Sequence, residues 1–295
     1  MDTRISNTEQ FTFAREVACE YGRMLYVRCG KLFLSLNVDR CLDVYDLSYA
    51  GDNIAFLSAV GINPYSLETD FLSRFEGGFL YSSGLENIGG PTETAALHGS
   101  MHLKRAKLTR IETTCDSVTV SAIIDFSGLF CDKIKIRRTY EIKEKSITLT
   151  DEFMLSSAES ANIMQLYHFN LGYPMIDEGV RITLPNDKAV PRNDHAKAGI
   201  DTMNTFSMPI DNFEERCYIC SCEDAVAKAS VENTKLARKI TFTYDGRVLP
   251  KFVEWKSECS GDYALGLEPC TTHLDEKEYV SVKNGDKHVI TIDIE

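Results

Sequence analysis

The chain has 295 residues, 43% of them apolar, enough to bury a substantial core. Lys and Arg number 32 against 44 Asp and Glu, a formal net charge of −12. That balance repels phosphate backbones and anionic lipid surfaces, so no nucleic acid and no membrane surface is expected as a partner, and a small neutral substrate fits.

In chain order, scattered apolar positions from Thr8 to Tyr21 (Phe11, Phe13, Val17, Ala18) predict one short helix. The leading Met1-Asp2-Thr3-Arg4-Ile5-Ser6 lacks the apolar region of a signal peptide. No apolar run is long enough to span a bilayer. A cytoplasmic, reducing location is therefore expected, with the ten cysteines as free thiols. Cys217-x-x-Cys220-x-Cys222 could be read as a metal site, but no second pair or nearby His completes a zinc set. On a strand Cys220 and Cys222 face one way and Cys217 the other, which fits small core residues better, so no metal is expected.

Strand patterns begin at Lys31. Leu32, Leu34, Leu36 and Val38 share a parity, and Asp39–Asp46 reads as a second strand. Residues 61–75 read as loop, and Ser82–Pro91 as turn-rich chain. The middle is the clearest β territory. Val118, Val120, Ala122, Ile124 and Phe126 alternate with polar partners, as do Ile134, Ile136, Tyr140 and Ile142, then Ile147, Leu149, Phe153 and Leu155. This is an antiparallel meander with one wet side. Arg138 and Asp151 fall on its apolar faces, where they mark either a ligand cavity or a paired interior. Further on, Tyr244-Asp245-Gly246-Arg247 reads as a hairpin turn, and Tyr279–Val282 with His288–Ile294 as a terminal hairpin. No low-complexity linker divides the chain, so residues 1–295 are expected to form one large antiparallel β domain of supersandwich type.

Against this background Tyr167-His168-Phe169-Asn170-Leu171-Gly172-Tyr173-Pro174 stands out, with Asp177 and Glu178 close behind. It carries more polar chemistry than a scaffold strand needs. Two more polar groups occupy special places: His98 before Gly99, and Glu268 between an apolar strand and Pro269. Singly, each reads more readily as structural than catalytic; the joint pattern raises the odds.

These residues carry a resemblance. Leu97-His98-Gly99, then Tyr167 to Gly172, then Gly266-Leu267-Glu268-Pro269 follow one another as corresponding elements do in the aldose 1-epimerase (galactose mutarotase) superfamily. Arg40-Cys41-Leu42-Asp43-Val44, Gly77-Gly78-Phe79-Leu80 and Ser83-Gly84-Leu85 bring the chain closer to a branch known mainly as a domain of unknown function. The likeness runs from about Arg40 to about Pro269; each motif is weak alone, and their order and spacing are specific. That branch usually has Arg after His-Gly. Here Ser100 stands there, and Arg74, Lys104 or Arg105 are the residues offered in compensation.

The resemblance implies an all-β galactose mutarotase-like supersandwich with few short helices, and an isomerase that interconverts sugar anomers without a cofactor. It implies Glu268 as base, His168 as acid and His98 as the residue that orients the sugar. Asn170, Tyr173 and Glu178 follow His168 closely enough to line the same pocket, Asn87 and Arg74 are further binding candidates, and Glu215 with the lone Trp255 offers an acid and an aromatic wall. The expected partner is a small sugar, with a homodimer admitted as the assembly. The alternatives are a non-catalytic sugar-binding module, or a sugar isomerase or lyase that uses the same base on a carbon-bound proton.

Overall fold

The structure, a computed structural model, describes residues 12–19, 22–62, 70–186, 188–276 and 278–295. The strands form three sheets, of five, eight and seven strands, and every pairing between them is antiparallel. Among the described residues, helix is confined to short pieces such as Asp194–Ala198 and Met101–Leu103.

The five-stranded sheet is a meander from Thr12–Cys19 to Asp52–Asn53. Its first strand lies where a helix was predicted between Thr8 and Tyr21; the remaining residues of that stretch fall outside the described ones. Thr12–Cys19 pairs residue for residue with Gly22–Cys29, and this pairing overrides a weak local helical preference. The strand predicted over Asp39–Asp46 starts late, at Asp43, because Cys41 and Leu42 take left-handed conformations (φ 55 and 56°) in the preceding turn.

The eight-stranded sheet contains the predicted meander, with Ile134–Lys143 strictly alternating between buried and outward residues. The charges on its apolar faces resolve as a cross-strand pair. Asp151 stands opposite Arg138 and receives its guanidinium at 2.8 and 2.7 Å. Both expected later hairpins are sheet crossings. Arg238–Tyr244 belongs to the eight-stranded sheet and Lys251–Cys259 to the seven-stranded one. Likewise Val280–Lys283 pairs with Ser160–Gly172, whereas Lys287–Ile294 enters the eight-stranded sheet. A turn signal fixes the reversal of the chain but not the sheet that receives it.

The seven-stranded sheet is built on the long strand Ser160–Gly172, flanked by Asp262–Cys270 and by Leu80–Leu85. Leu80–Leu85 runs into the expected turn-rich stretch and is buried along its whole length. One hydrophobic cluster draws on all three sheets, through Leu34, Ile136 and Tyr140, and Phe169 and Leu267. Burying such side chains contributes roughly 1.5–3 kcal/mol each. Because side chains alternate, sending Tyr167, Phe169 and Leu171 into this cluster leaves His168 and Asn170 on the opposite face.

A buried carboxyl on this sheet lacks the pairing that Arg138 and Asp151 have. Glu254 is fully buried, cross-strand from Tyr218 and Leu267, and neither carboxylate oxygen has a hydrogen-bond partner. Burial pushes its pKa up to about 8, with Lys256 opposing and Glu258 adding. A carboxyl raised in the fold contributes stability below its unfolded value and loses that contribution as pH rises toward the folded one. Glu254→Gln keeps the shape without the ionisation. Its thermal midpoint should therefore fall less than that of the wild type between about pH 5 and about pH 9 in scanning calorimetry. Equal falls would remove Glu254 as the titrating group.

Candidate active site

The sheet register brings the two principal side chains together. Leu166 pairs with Cys270 and Phe169 with Leu267, which sets His168 directly opposite Glu268. Pro269 lies beside Glu268 and has no N–H to donate, so the ladder between these two strands is interrupted there. His168 Nε2 stands 3.1 Å from Glu268 Oε1. The contact is close without being an aligned hydrogen bond, and both His168 Nδ1 and Glu268 Oε1 are buried without a partner. Gly266, cross-strand from Asn170 and Trp255, makes the space. A Cβ on it would lie 2.6 Å from Glu268 Oε1, 2.8 Å from His168 Cε1 and 3.0 Å from Trp255 Cβ.

The pair lies on the wall of a cavity of about 590 Å³, within the range of small-molecule sites. Phe56, Phe71, Phe75 and Phe213 supply apolar surface, while His98, Arg192, Glu215 and Trp255 bring polar atoms and an indole. Trp255 stands edge-on to His168 with ring centroids 5.5 Å apart, and its indole N–H donates to Glu215 Oε2 at 2.6 Å. His98 lies 6.0 Å from His168, ring centroid to ring centroid.

The loop carrying His98 is tightly specified. His98 has φ +61°, a conformation a non-glycine residue holds only where its surroundings impose it. Asn87 imposes it in part: its amide donates to the carbonyls of Gly90 and Ala96, both at 2.8 Å. The His98 backbone N–H donates to Gly89 and its carbonyl accepts from Gly84. His98 Nδ1 meets the Ile88 carbonyl at 3.0 Å. A carbonyl only accepts, so Nδ1 carries the proton and Nε2 of the neutral ring is an acceptor.

Burial dominates the electrostatics. It lowers the His98 pKa to about 4, with Arg192 and Arg74 adding to the effect and the Ile88 carbonyl opposing it. It holds His168 well below the usual histidine value, helped by His98. Glu268 is driven well above the carboxylate range by burial and by Glu215, with Arg192 opposing. Both shifts disfavour the charged forms, so burial favours a protonated Glu268 beside a neutral His168.

The sequence-derived binding candidates divide. His98, His168, Glu268, Glu215 and Trp255 meet at the cavity. Arg74 stands just behind it, its guanidinium over the Phe71 ring at 5.6 Å. Asn170 shares the His168 face, but its amide is used by the Gly78 and His168 carbonyls, and Asn87 is used by its own loop. Tyr173 is 67% exposed, its carbonyl accepting from Asn53, and Glu178 is exposed on the same turn. Neither is among the described lining residues, because the strand ends at Gly172 and the chain turns away. The compensating basic residues lie elsewhere too: Lys104 sits over Phe126 and Arg105 beside Asp39.

Two contributors went unread. Gly266 was legible only as part of a motif. Arg192 was not among the sequence candidates, yet its backbone N–H donates to the Cys217 carbonyl next to the edge pair Val190–Pro191 and Ile219–Tyr218, which delivers its side chain to the cavity. Cys217 also lines the cavity, while Cys220 and Cys222 join the core.

A family model described as "Domain of unknown function (DUF4432)" matches residues 20–293. No curated protein matches the chain. Among solved structures, the chain resembles a Klebsiella pneumoniae protein named as a candidate aldose 1-epimerase, with a TM-score of 0.87 at 19% identity, covering 97% of this chain and 84% of that one. A galactose mutarotase-like protein from Clostridium acetobutylicum gives 0.73 at 15% identity, with 96% and 98% covered. A candidate mutarotase from Salmonella typhimurium gives 0.70 at 10%, with 99% and 96% covered. At these identities the likeness is one of fold, and the supersandwich expected from the sequence is the fold they share.

Gly266→Ala is expected to leave the β fold intact by circular dichroism while forcing His168, Glu268 and Trp255 apart. The fluorescence of Trp255 reads this directly, because it is the single Trp of the chain. An unchanged emission spectrum would contradict the role given to Gly266.

Proposed function

The chain belongs to the DUF4432 family, and on that premise we propose that it is a sugar isomerase of the aldose 1-epimerase type, acting on the anomeric centre by general acid–base catalysis. The observation that carries this reading is the His168–Glu268 pair, 3.1 Å apart and buried on the wall of a sugar-sized cavity.

Anomer exchange needs a base at the anomeric hydroxyl and an acid at the ring oxygen. Glu268 takes the hydroxyl proton as the C1–O1 bond becomes a carbonyl. The C1–ring-oxygen bond breaks, its electron pair stays on oxygen, and His168 supplies the proton that oxygen needs. The open aldehyde rotates about C1–C2. Closure runs the same transfers backwards on the other face, so the pair ends with the proton count it began with.

Burial of both side chains favours protonated Glu268 and neutral His168. The cycle therefore starts only after the proton passes from Glu268 to His168 across their 3.1 Å contact, and ring opening returns the pair to the forms that burial favours. His98 Nε2 offers an acceptor for a sugar hydroxyl, and the Trp255 ring offers an aromatic surface to C–H groups, held in place by Glu215.

Exchange NMR of an aldose panel reads the anomerisation rate at equilibrium. Glu268→Gln and His168→Ala should each lower that rate by about two orders of magnitude or more, with the thermal transition retained. Normal rates in both variants would sink the assignment. Deuterium entering a carbon position from solvent would instead indicate a carbonyl-adjacent isomerase or lyase.

A further inference from the structure

Arg192 is the one lysine or arginine among the described residues lining the cavity, and it is already committed. Its Nε and Nη2 donate in a fork to the two carboxylate oxygens of Asp275, at 3.0 and 2.5 Å. That planar, two-pronged edge is the feature by which a guanidinium grips a carboxylate or phosphate. With that edge filled and the guanidinium charge neutralised, the N–H groups left on Nη1 and Nη2 attract an anion less, while they can still donate to a hydroxyl.

The acids of the cavity act in the same direction. Glu215 lines the wall with one oxygen held by the Trp255 indole, and Asp262 stands exposed on the same cavity. An anionic ligand would meet these two charges, while the one arginine among the described lining residues is already neutralised by Asp275. Like charges brought together in this way discriminate strongly between ligands.

We propose that the Arg192–Asp275 pair is the specificity-determining element of the cavity: Arg192 anchors a hydroxyl of a neutral sugar, and Asp275, by neutralising the guanidinium, disfavours sugar carboxylates and phosphates. The inference rests on the reading of the cavity as a sugar site. It adds that Asp275, outside the lining itself, sets which sugars enter.

Trp255, the sole Trp of the chain, reports binding through its fluorescence. The full chain is titrated at low ionic strength with galactose against galacturonate, and glucose against glucose-6-phosphate. The wild type should bind the neutral member of at least one pair about tenfold tighter than its anionic counterpart. Asp275→Asn should narrow or reverse that ratio by about tenfold, because the fork is freed and a charge removed. Arg192→Gln should weaken the neutral sugar while leaving the fold intact. Asp275 and Arg192 are both partly exposed, so the variants are expected to fold. Equal or tighter binding of the anionic sugars by the wild type, an unchanged ratio in Asp275→Asn, or no response to any of the four sugars overturns the proposal. Exchange NMR on the same samples separates the two ideas. Neutral-selective binding without anomer exchange would leave the gate standing and remove the epimerase, and indiscriminate exchange would do the reverse.

Discussion

The structure depends most on a set of charges sealed between its sheets. Arg138 is fully buried and reaches Asp151 on its own sheet, Asp43 on the five-stranded sheet and the Cys41 carbonyl. Asp43 also accepts from the backbone and hydroxyl of Ser82 and meets His102 at 2.9 Å. His102 faces Glu76 at 3.4 Å, and Glu76 faces Arg40 at 3.9 Å. Tyr167 and Gln165 of the long central strand donate to Asp151. Two arginines (Arg40, Arg138) and His102 meet three carboxylates (Asp43, Glu76, Asp151), and Asp43 and Glu76 raise the His102 pKa against the effect of burial. Buried ions are tolerable only when paired this fully, and removing one partner strands another at a cost of about 3–5 kcal/mol. The network therefore fixes how the three sheets sit on one another.

The cavity is built on top of this network. Tyr81 stacks on His102 with ring centroids 3.9 Å apart, and the same Tyr81 is the cross-strand neighbour of His168. Its ring also meets Phe71, Phe75 and His98. A rigid polar interior thus supports an aromatic layer, which supports the two histidines. Precision at a site comes from such backing, because side chains locked by their own neighbours hold a reactive geometry that loose ones lose.

What the sequence disclosed follows the range of the forces involved. Alternation in Ile134–Lys143 reports a local choice of inside and outside, and the structure follows it residue by residue. The Arg138–Asp151 pairing could be suspected because both break an apolar face. The destination of a strand after a turn was not legible: nothing near Asp245-Gly246 or Asn284-Gly285 records which sheet receives the next segment. The polar stretch after His168 shows a related effect. Tyr173 and Glu178 are close to His168 along the chain, but the strand ends between them. Glu268 is remote in sequence and lies one rung away in space. Arg192 could not be found from pattern, since its place depends on an edge pairing of two residues, Val190–Pro191.

The interrupted rung at Pro269 has a mechanical consequence. Elsewhere the flanking ladders of this sheet are continuous, and Asp262–Cys270 pairs with Lys251–Cys259 at every position. Between Tyr167–His168 and Glu268–Pro269 there is no such tie. Stiffness in a sheet resides in its rungs, so this is a compliant point set within a rigid frame, and it coincides with the residues proposed as acid and base. A reacting ring changes length as it opens and closes. If the pair acts on a sugar ring as proposed, its mounting at this point lets it follow the ring's opening by a small breathing of two strands.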